Sequence, residues 1–345
     1  MLFYDLPLEM LEKYFIGKSE NKAKATILYK AVYRNGLSVD EITELSEKTR
    51  TMIKNDFSFE LPEAVTVQDD GETAKALLKL SDGSGVETVL IRHGYNTGVC
   101  VSTQVGCSMG CTFCQSGKLK KIRGLTAGEI VSQVLFMKKR FGEIGHISVM
   151  GIGEPLDNFD NVKAFMEIAA SPYGLSFGGR HITLSTCGIV PGIKRLNEIN
   201  CGFNLAISLH AADNETRSGL MPINRRWGLK ELMDAVKEYS EKNRQRIAIE
   251  YILIDGVNDS VRQAEELALL VKNINCFVNL IPYNSTDDTR YRRSENANEF
   301  FDALKKRGVN AIFRREFGGT IKAACGQLAA ESRGDYYKDR DKHDA

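Results

Sequence analysis

From residue 85 onward, short apolar runs alternate with longer stretches in which apolar residues recur every three or four positions. His146–Met150, Ile182–Thr186, Phe203–Leu209, Ile247–Ile254, Phe277–Pro282 and Ala311–Arg314 read as strands. Helical patterns fall between them. In Thr126–Phe141, for example, Thr126 and Glu129 occupy the positions of a capping box. Repeated β–α units imply parallel strands joined by right-handed crossovers. The number of runs predicts an α/β fold that closes as a partial barrel of about six units rather than a full eight-fold one, with its site at the C-terminal strand ends. Residues 1–84 read instead as a small helical accessory domain. Ala23, Ile27, Leu28, Ala31 and Val32 share one helix face, and Ser38 with Glu41 predicts a second capped helix. The core is expected over 85–332, followed by a charged tail, 333–345, that should fray.

Composition narrows the class. Of 345 residues, 43% are hydrophobic and 26% charged, which is ordinary for a folded chain. A formal net charge of +1 leaves no broad basic field, so any nucleic-acid contact must come from local patches. Candidates are Lys118–Arg123, Arg225-Arg226, Arg290–Arg293 and Arg314-Arg315, together with Lys22, Lys24, Lys30 and Arg34 around the second helix. Each patch is either a phosphate grip or solvated surface charge. The N-terminal residues lack the basic-then-apolar pattern of a secretory signal, and no apolar run reaches the ~18–20 residues a bilayer requires. The expectation is a cytoplasmic protein without a membrane partner. There, eight cysteines are better read as metal-binding or catalytic than as a disulfide framework.

Three of them stand together in Cys107-Ser108-Met109-Gly110-Cys111-Thr112-Phe113-Cys114. Thiolates are the soft ligands an iron–sulfur cluster needs. Three thiolates leave one iron of a four-iron cluster without a protein ligand, free to chelate a small molecule. The alternative is zinc, with a fourth ligand from Cys100 or a distant histidine. Zinc sites usually show a second paired half-site, and the remaining cysteines (Cys187, Cys201, Cys276 and Cys325) are isolated. The x3-then-x2 spacing with an aromatic before the third cysteine is the fingerprint of radical S-adenosylmethionine (SAM) enzymes. Downstream, Gly151-Ile152-Gly153-Glu154-Pro155 follows a predicted strand, as do Ser185 and the Ser208–His210 stretch. The two glycines suit close approach of a ligand, and Glu154 can accept from an ammonium group. Singly these residues are as consistent with loop packing; at successive strand ends they predict one pocket.

Several blocks together resemble one family, the radical SAM adenine methyltransferases of 23S ribosomal RNA (the RlmN and Cfr group). They are Cys100–Cys107, the cluster motif, Gly151–Pro155, Leu184–Thr186, Ser208–His210, Met221–Asn224, Asn279–Asn284 and Ala323–Leu328. The resemblance implies a 4Fe-4S cluster on Cys107, Cys111 and Cys114, and two SAM molecules per turnover. It implies that Cys325 accepts a methyl group as an S-methylcysteine intermediate, and that Cys100 resolves the later protein–RNA adduct, leaving a disulfide. Glu87 matches the proton acceptor, a role Cys100 could fill instead. SAM contacts carry over to Gly153, Glu154, Ser185, Ser208, Leu209, His210 and Asn284. Implied partners are 23S rRNA, possible tRNA substrates and a low-potential donor such as flavodoxin or ferredoxin, acting on a monomer.

The match has departures. Thr320-Ile321-Lys322 stands where the family usually has two carboxylates before the carrier cysteine, and Gln115-Ser116 replaces its usual Ala-Thr. Gly153-Glu154-Pro155 and Ala206–His210 favour the carbon-2 over the carbon-8 branch. The rival readings are a diverged radical SAM paralogue with another RNA substrate and a non-catalytic, metal-stabilised RNA-binding module. For Cys325 alone the plain alternative is a small buried hydrophobe; Cys187, Cys201 and Cys276 match no functional position and read as buried fillers.

Overall fold

The computed structural model describes residues 1–94, 96–199, 202–284 and 290–328; Cys201 and the predicted tail lie outside them. The main sheet has ten strands: β1 (Glu63–Asp69), β2 (Thr73–Lys79), β3 (Gly85–His93), β4 (Asn96–Cys100), β5 (His146–Val149), β6 (Ile182–Thr186), β7 (Asn204–Ser208), β8 (Ile247–Leu253), β9 (Cys276–Pro282) and β10 (Ala311–Phe313). They lie side by side in chain order. From β4 to β10 each neighbouring pair is parallel, and β1–β4 pair antiparallel. The parallel part is therefore the expected partial barrel with one strand more, β4, at its start. β8 is buried at every position, as a strand covered on both faces must be.

The expectation of a helical region to residue 84 fails for its last third. β1 and β2 extend the core sheet, and β2 is buried at six of seven positions. Its sequence, Thr-Ala-Lys-Ala-Leu-Leu-Lys, carries helix formers, so pairing with β3 overrides local propensity. Ser38 and Glu41 do form the capping box, but around a single 3-10 turn at Val39–Glu41. Helix α1 (Leu8–Gly17) and α2 (Ala23–Tyr33) precede that turn; α3 (Glu47–Asp56) follows it, capped by Ser46. The three enclose an aromatic cluster in which Phe3 packs on Tyr4, Tyr29, Tyr33, Phe57 and Phe59.

This module sits on the core through helix α4 (Ala127–Phe141), whose capping box between Thr126 and Glu129 is present. The Gly128 amide donates to Asp5 Oδ1 at 2.7 Å, and a Cβ on Gly128 would lie 2.8 Å from Asp5. Two of the four basic residues around α2 are engaged by protein. Lys24 bonds Glu20 and Thr49, and Arg34 donates to the Pro172 carbonyl.

Candidate active site

The C-terminal ends of the parallel strands face a cavity lined by Cys107, Cys111, Cys114, Gly153, Glu154, Ser185, Ser208, His210 and Cys325. The cluster loop leaves a two-stranded ribbon in which Gln104–Val105 pairs with Arg123–Gly124. Two glycines let it fold so tightly. Gly106 has φ +77°, and a Cβ there would stand 2.1 Å from the Lys120 carbonyl oxygen; one on Gly117 would stand 2.6 Å from that of Cys111. Burial pushes the Cys107 thiol up to about 12 and raises Cys111 and Cys114 as well. Such thiols ionise here only against a cation that ligates them, which is the behaviour of metal ligands. Among the described residues no three ligating side chains converge where a single ion would sit. Cys107, Cys111 and Cys114 line that cavity together, and thiolates are the ligands an iron–sulfur cluster takes.

The sheet supplies the other wall. Glu154 is 3% exposed, accepts from the amides of Leu156 (3.0 Å) and Cys187 (2.8 Å), and has its pKa raised by burial. The Ser185 and Ser208 hydroxyls are 3.4 Å apart. His210 holds φ +60°; its Nδ1 accepts from the Ile252 amide at 3.1 Å, and its ring meets Phe113 edge-on. Burial and then Arg217 depress its pKa to about 3, so the imidazole is neutral. The glycines of Gly151-Ile152-Gly153 serve the protein as well as the cavity: a Cβ on either would fall 2.7 Å from Ser102 or Gln104. Leu209 is fully buried in the core and absent from the cavity lining, and its carbonyl is taken by Arg217. Cys187, read as a filler, is buried but lines the cavity; Cys276 lies half-buried on β9.

Cys325 is exposed, on an irregular segment after β10 whose Ala323, Ala324, Gln327 and Leu328 are buried. That segment rests on the cluster loop: the Gln115 amide donates to the Gly326 carbonyl at 2.8 Å, and Ser116 Oγ to that of Leu328 at 3.1 Å. Cys325 also borders a second cavity with Cys100, Asn284 and Arg314. Cys100 ends β4, paired with both Val89 and Ser148; burial and then Cys325 push its pKa up to about 12. Both thiols are free. Asn284 donates to the Cys325 carbonyl at 3.2 Å, so it positions the backbone at Cys325.

Glu87 does not join them. It lies outside both cavities, 1% exposed, with Lys75 Nζ at 3.6 Å. Arg314, grouped above in a basic patch read as either a phosphate grip or surface charge, lines both cavities beside Cys325 and Cys100, with Glu250 at 3.5 Å. Nothing in its local sequence separates it from its exposed neighbour Arg315. Two other basic candidates are structural: Arg123 forks onto Glu129 and reaches Asp82, and Lys121 pairs with Asp157. The departure at Thr320 also has a local role, since its hydroxyl donates to Asp70 and ties the carrier segment to the β1–β2 turn.

The radical SAM superfamily model matches residues 101–269. A probable dual-specificity RNA methyltransferase RlmN of Spiroplasma citri is 45% identical over 338 residues, covering 96% of this chain and 98% of that one. The Geobacillus kaustophilus protein of the same name is 44% identical over 340 residues, with 96% and 93% covered. A solved radical SAM methyltransferase from Sphaerobacter thermophilus matches with a TM-score of 0.90 at 40% identity, covering 96% of this chain and 100% of that structure.

Proposed function

The chain belongs to the radical SAM superfamily and, within it, to the RlmN family of RNA methyltransferases; from that premise we propose that it methylates carbon 2 of an adenine in 23S rRNA and in tRNA. It is a radical SAM enzyme that uses a 4Fe-4S cluster and two SAM molecules per turnover. When bound, the cluster and SAM supply a 5′-deoxyadenosyl radical. Cys107, Cys111 and Cys114 would hold the cluster; Gly153, Glu154, Ser185, Ser208, His210 and Asn284 would hold SAM, while Leu209, whose amide and carbonyl are taken by Glu250 and Arg217, would not.

The observation that carries the reading is the place of Cys325, on the border of the cavity of the cluster cysteines and the cavity of Cys100. An electron-poor ring carbon does not attack a sulfonium methyl group. A cysteine thiolate does, so Cys325 takes the methyl group and carries it to the ring. Once its S-methyl carbon has joined the ring, Cys100 attacks the Cys325 sulfur. The sulfur–sulfur bond forms as the sulfur–carbon bond breaks; the electron pair of the broken bond stays with the base, whose methylene carbon takes up a proton to become the methyl group as the product is released. Glu87 is occupied with Lys75 outside the cavity, which favours Cys100 as acceptor of the ring proton. A low-potential donor such as flavodoxin or ferredoxin, a cytoplasmic setting and a monomeric state belong to the same reading. No helix of the described residues is long and apolar enough to cross a membrane.

The test is a peptide mass map around Cys325 from protein expressed with its cluster. One added methyl group, absent in Cys107→Ala, is the expected result. Cys100→Ala should accumulate a covalent protein–RNA adduct. An unmodified Cys325 in protein that cleaves SAM overturns the carrier mechanism.

A further inference from the structure

Beside the two reaction cavities lies an outer one of about 460 Å³, within the usual range of ligand pockets. Its walls are Leu253 and Pro282 at the ends of β8 and β9, the residues entering helix Ala297–Lys306, and the chain leaving β10. Arg314 lines all three cavities, so the outer one adjoins the carrier cysteine at that guanidinium. Phe313 is 40% exposed, and its ring stacks on Phe301 at 5.1 Å. Arg293 and Arg315 flank it, paired with Glu316 at 2.9 Å and Glu72 at 2.7 Å. Both pairs are open to water, where such contacts hold weakly and a phosphate can replace the carboxylate. Glu295 and Glu316 also line the cavity, so a phosphate is confined to the arginine side.

We propose that this cavity binds the nucleotide adjacent to the target adenine, its base against Phe313 and its phosphate between Arg293 and Arg315. The proposal rests on the reading that the substrate is RNA. A ring carbon reaches Cys325 only if its base leaves the stack, and the neighbouring base then loses a partner. An aromatic shelf with arginines at its edge is the usual protein replacement for that lost stacking. The test is fluorescence anisotropy of an RNA stem-loop with an unpaired adenine, using cluster-loaded protein without SAM over a range of salt. Arg293→Ala should weaken binding about tenfold and lower the salt slope by about one. Phe313→Leu should weaken it about tenfold at unchanged slope, and Arg262→Ala, on the helix Val261–Val271, should change neither. Wild-type affinity and slope in both site variants, with unchanged melting curves, overturn this subsite. Failure of the wild type itself to bind RNA sinks the RNA reading and the subsite with it.

A separate observation concerns Arg217, among the largest fully buried side chains at 0% exposed. Its guanidinium donates to the carbonyls of Leu209, Cys187 and Ser208 and to Asn224 Oδ1, and among the described residues no carboxylate pairs with it. Helix Asn214–Leu220, which carries it, meets the cluster loop directly, where the Thr112 amide donates to the Leu220 carbonyl at 2.9 Å. A buried cation without a counter-ion is costly unless a negative group arrives. We infer that Arg217 is the counter-charge to the three cysteine thiolates and their cluster, and so sets how readily the cluster takes an electron. Burial depresses its pKa to about 10, with Cys187 and Cys111 opposing the shift. Iron content and an EPR-monitored redox titration test it. In Arg217→Met the reduced-to-oxidised ratio at the wild-type midpoint should fall on the order of tenfold, or the cluster should be lost. Arg217→Lys should keep the cluster near the wild-type midpoint. Equal midpoints in both variants, or a lysine variant as damaged as the methionine one, overturn the inference.

Discussion

The site has two halves built by different means. Cys100, Ser185, Ser208 and Glu250 stand on strands whose register is fixed by ladders on both sides. The four other cysteines assigned to the proposed chemistry, Cys107, Cys111, Cys114 and Cys325, stand on irregular backbone instead. Their positions depend on left-handed glycines and a few hydrogen bonds between loops. The sheet half would survive the loss of any single contact. The loop half concentrates its geometry in a handful of residues, so substitutions there should cost far more than their size suggests.

The comparison breaks most sharply at the ligands. Cys107→Ala should abolish both iron binding and methyl transfer while leaving the far-UV circular dichroism of the sheet intact; a variant that retains full iron would remove Cys107 from the cluster. Next in size is Gly106→Ala. Its Cβ would collide with a backbone oxygen in a left-handed residue, at a cost of at least about 2 kcal/mol. Gly256→Ala, also left-handed but with nothing within 4 Å, should cost about 1 kcal/mol. Urea denaturation of the two separates collision from conformation, and equal losses would show that the loop yields.

A pH profile sharpens the sheet half. His210 has a folded pKa of about 3 against an ordinary 6.5, so its contribution to stability is present above 6.5 and is lost as pH falls toward 3. His146, depressed to about 4 by burial, adds to the same window. Wild-type stability should drop across it with a limiting slope of about 1.4 kcal/mol per pH unit for each proton. His210→Asn tolerates the positive φ and keeps an acceptor for the Ile252 amide; it should flatten the profile, and an unchanged slope would clear His210. The smallest effect is Ser116→Ala, which removes one bond to the carrier segment and should cost about 0.5–1.5 kcal/mol. Limited proteolysis near Leu328 should quicken more than the melting temperature falls.

The same division explains what the sequence made legible. Each predicted strand of the parallel core appears within about two residues of its expected ends, because apolar runs of that length report burial on both faces. The cluster motif and the strand-end residues were legible because their spacing is itself the chemistry. β1 and β2 were not, since the partner that makes β2 a strand lies outside its own pattern. Arg314 and Arg217 look alike in sequence to surface arginines, and only the packed chain puts one beside Cys325 and the other, fully buried, on the Cys187 and Ser208 carbonyls. Glu87 shows the reverse: a motif match placed it in the chemistry, and Lys75 on the neighbouring strand holds it apart.

The bonds from Gln115 and Ser116 to Gly326 and Leu328 make the carrier segment's seat part of the metal loop. Coupling of that kind is reciprocal: what orders residues 107–119 orders 325–328 by the same factor. A newly made chain thus acquires its methyl-accepting geometry in step with metal delivery. On the proposed carrier role of Cys325, iron supply then governs how many competent enzymes a cell holds.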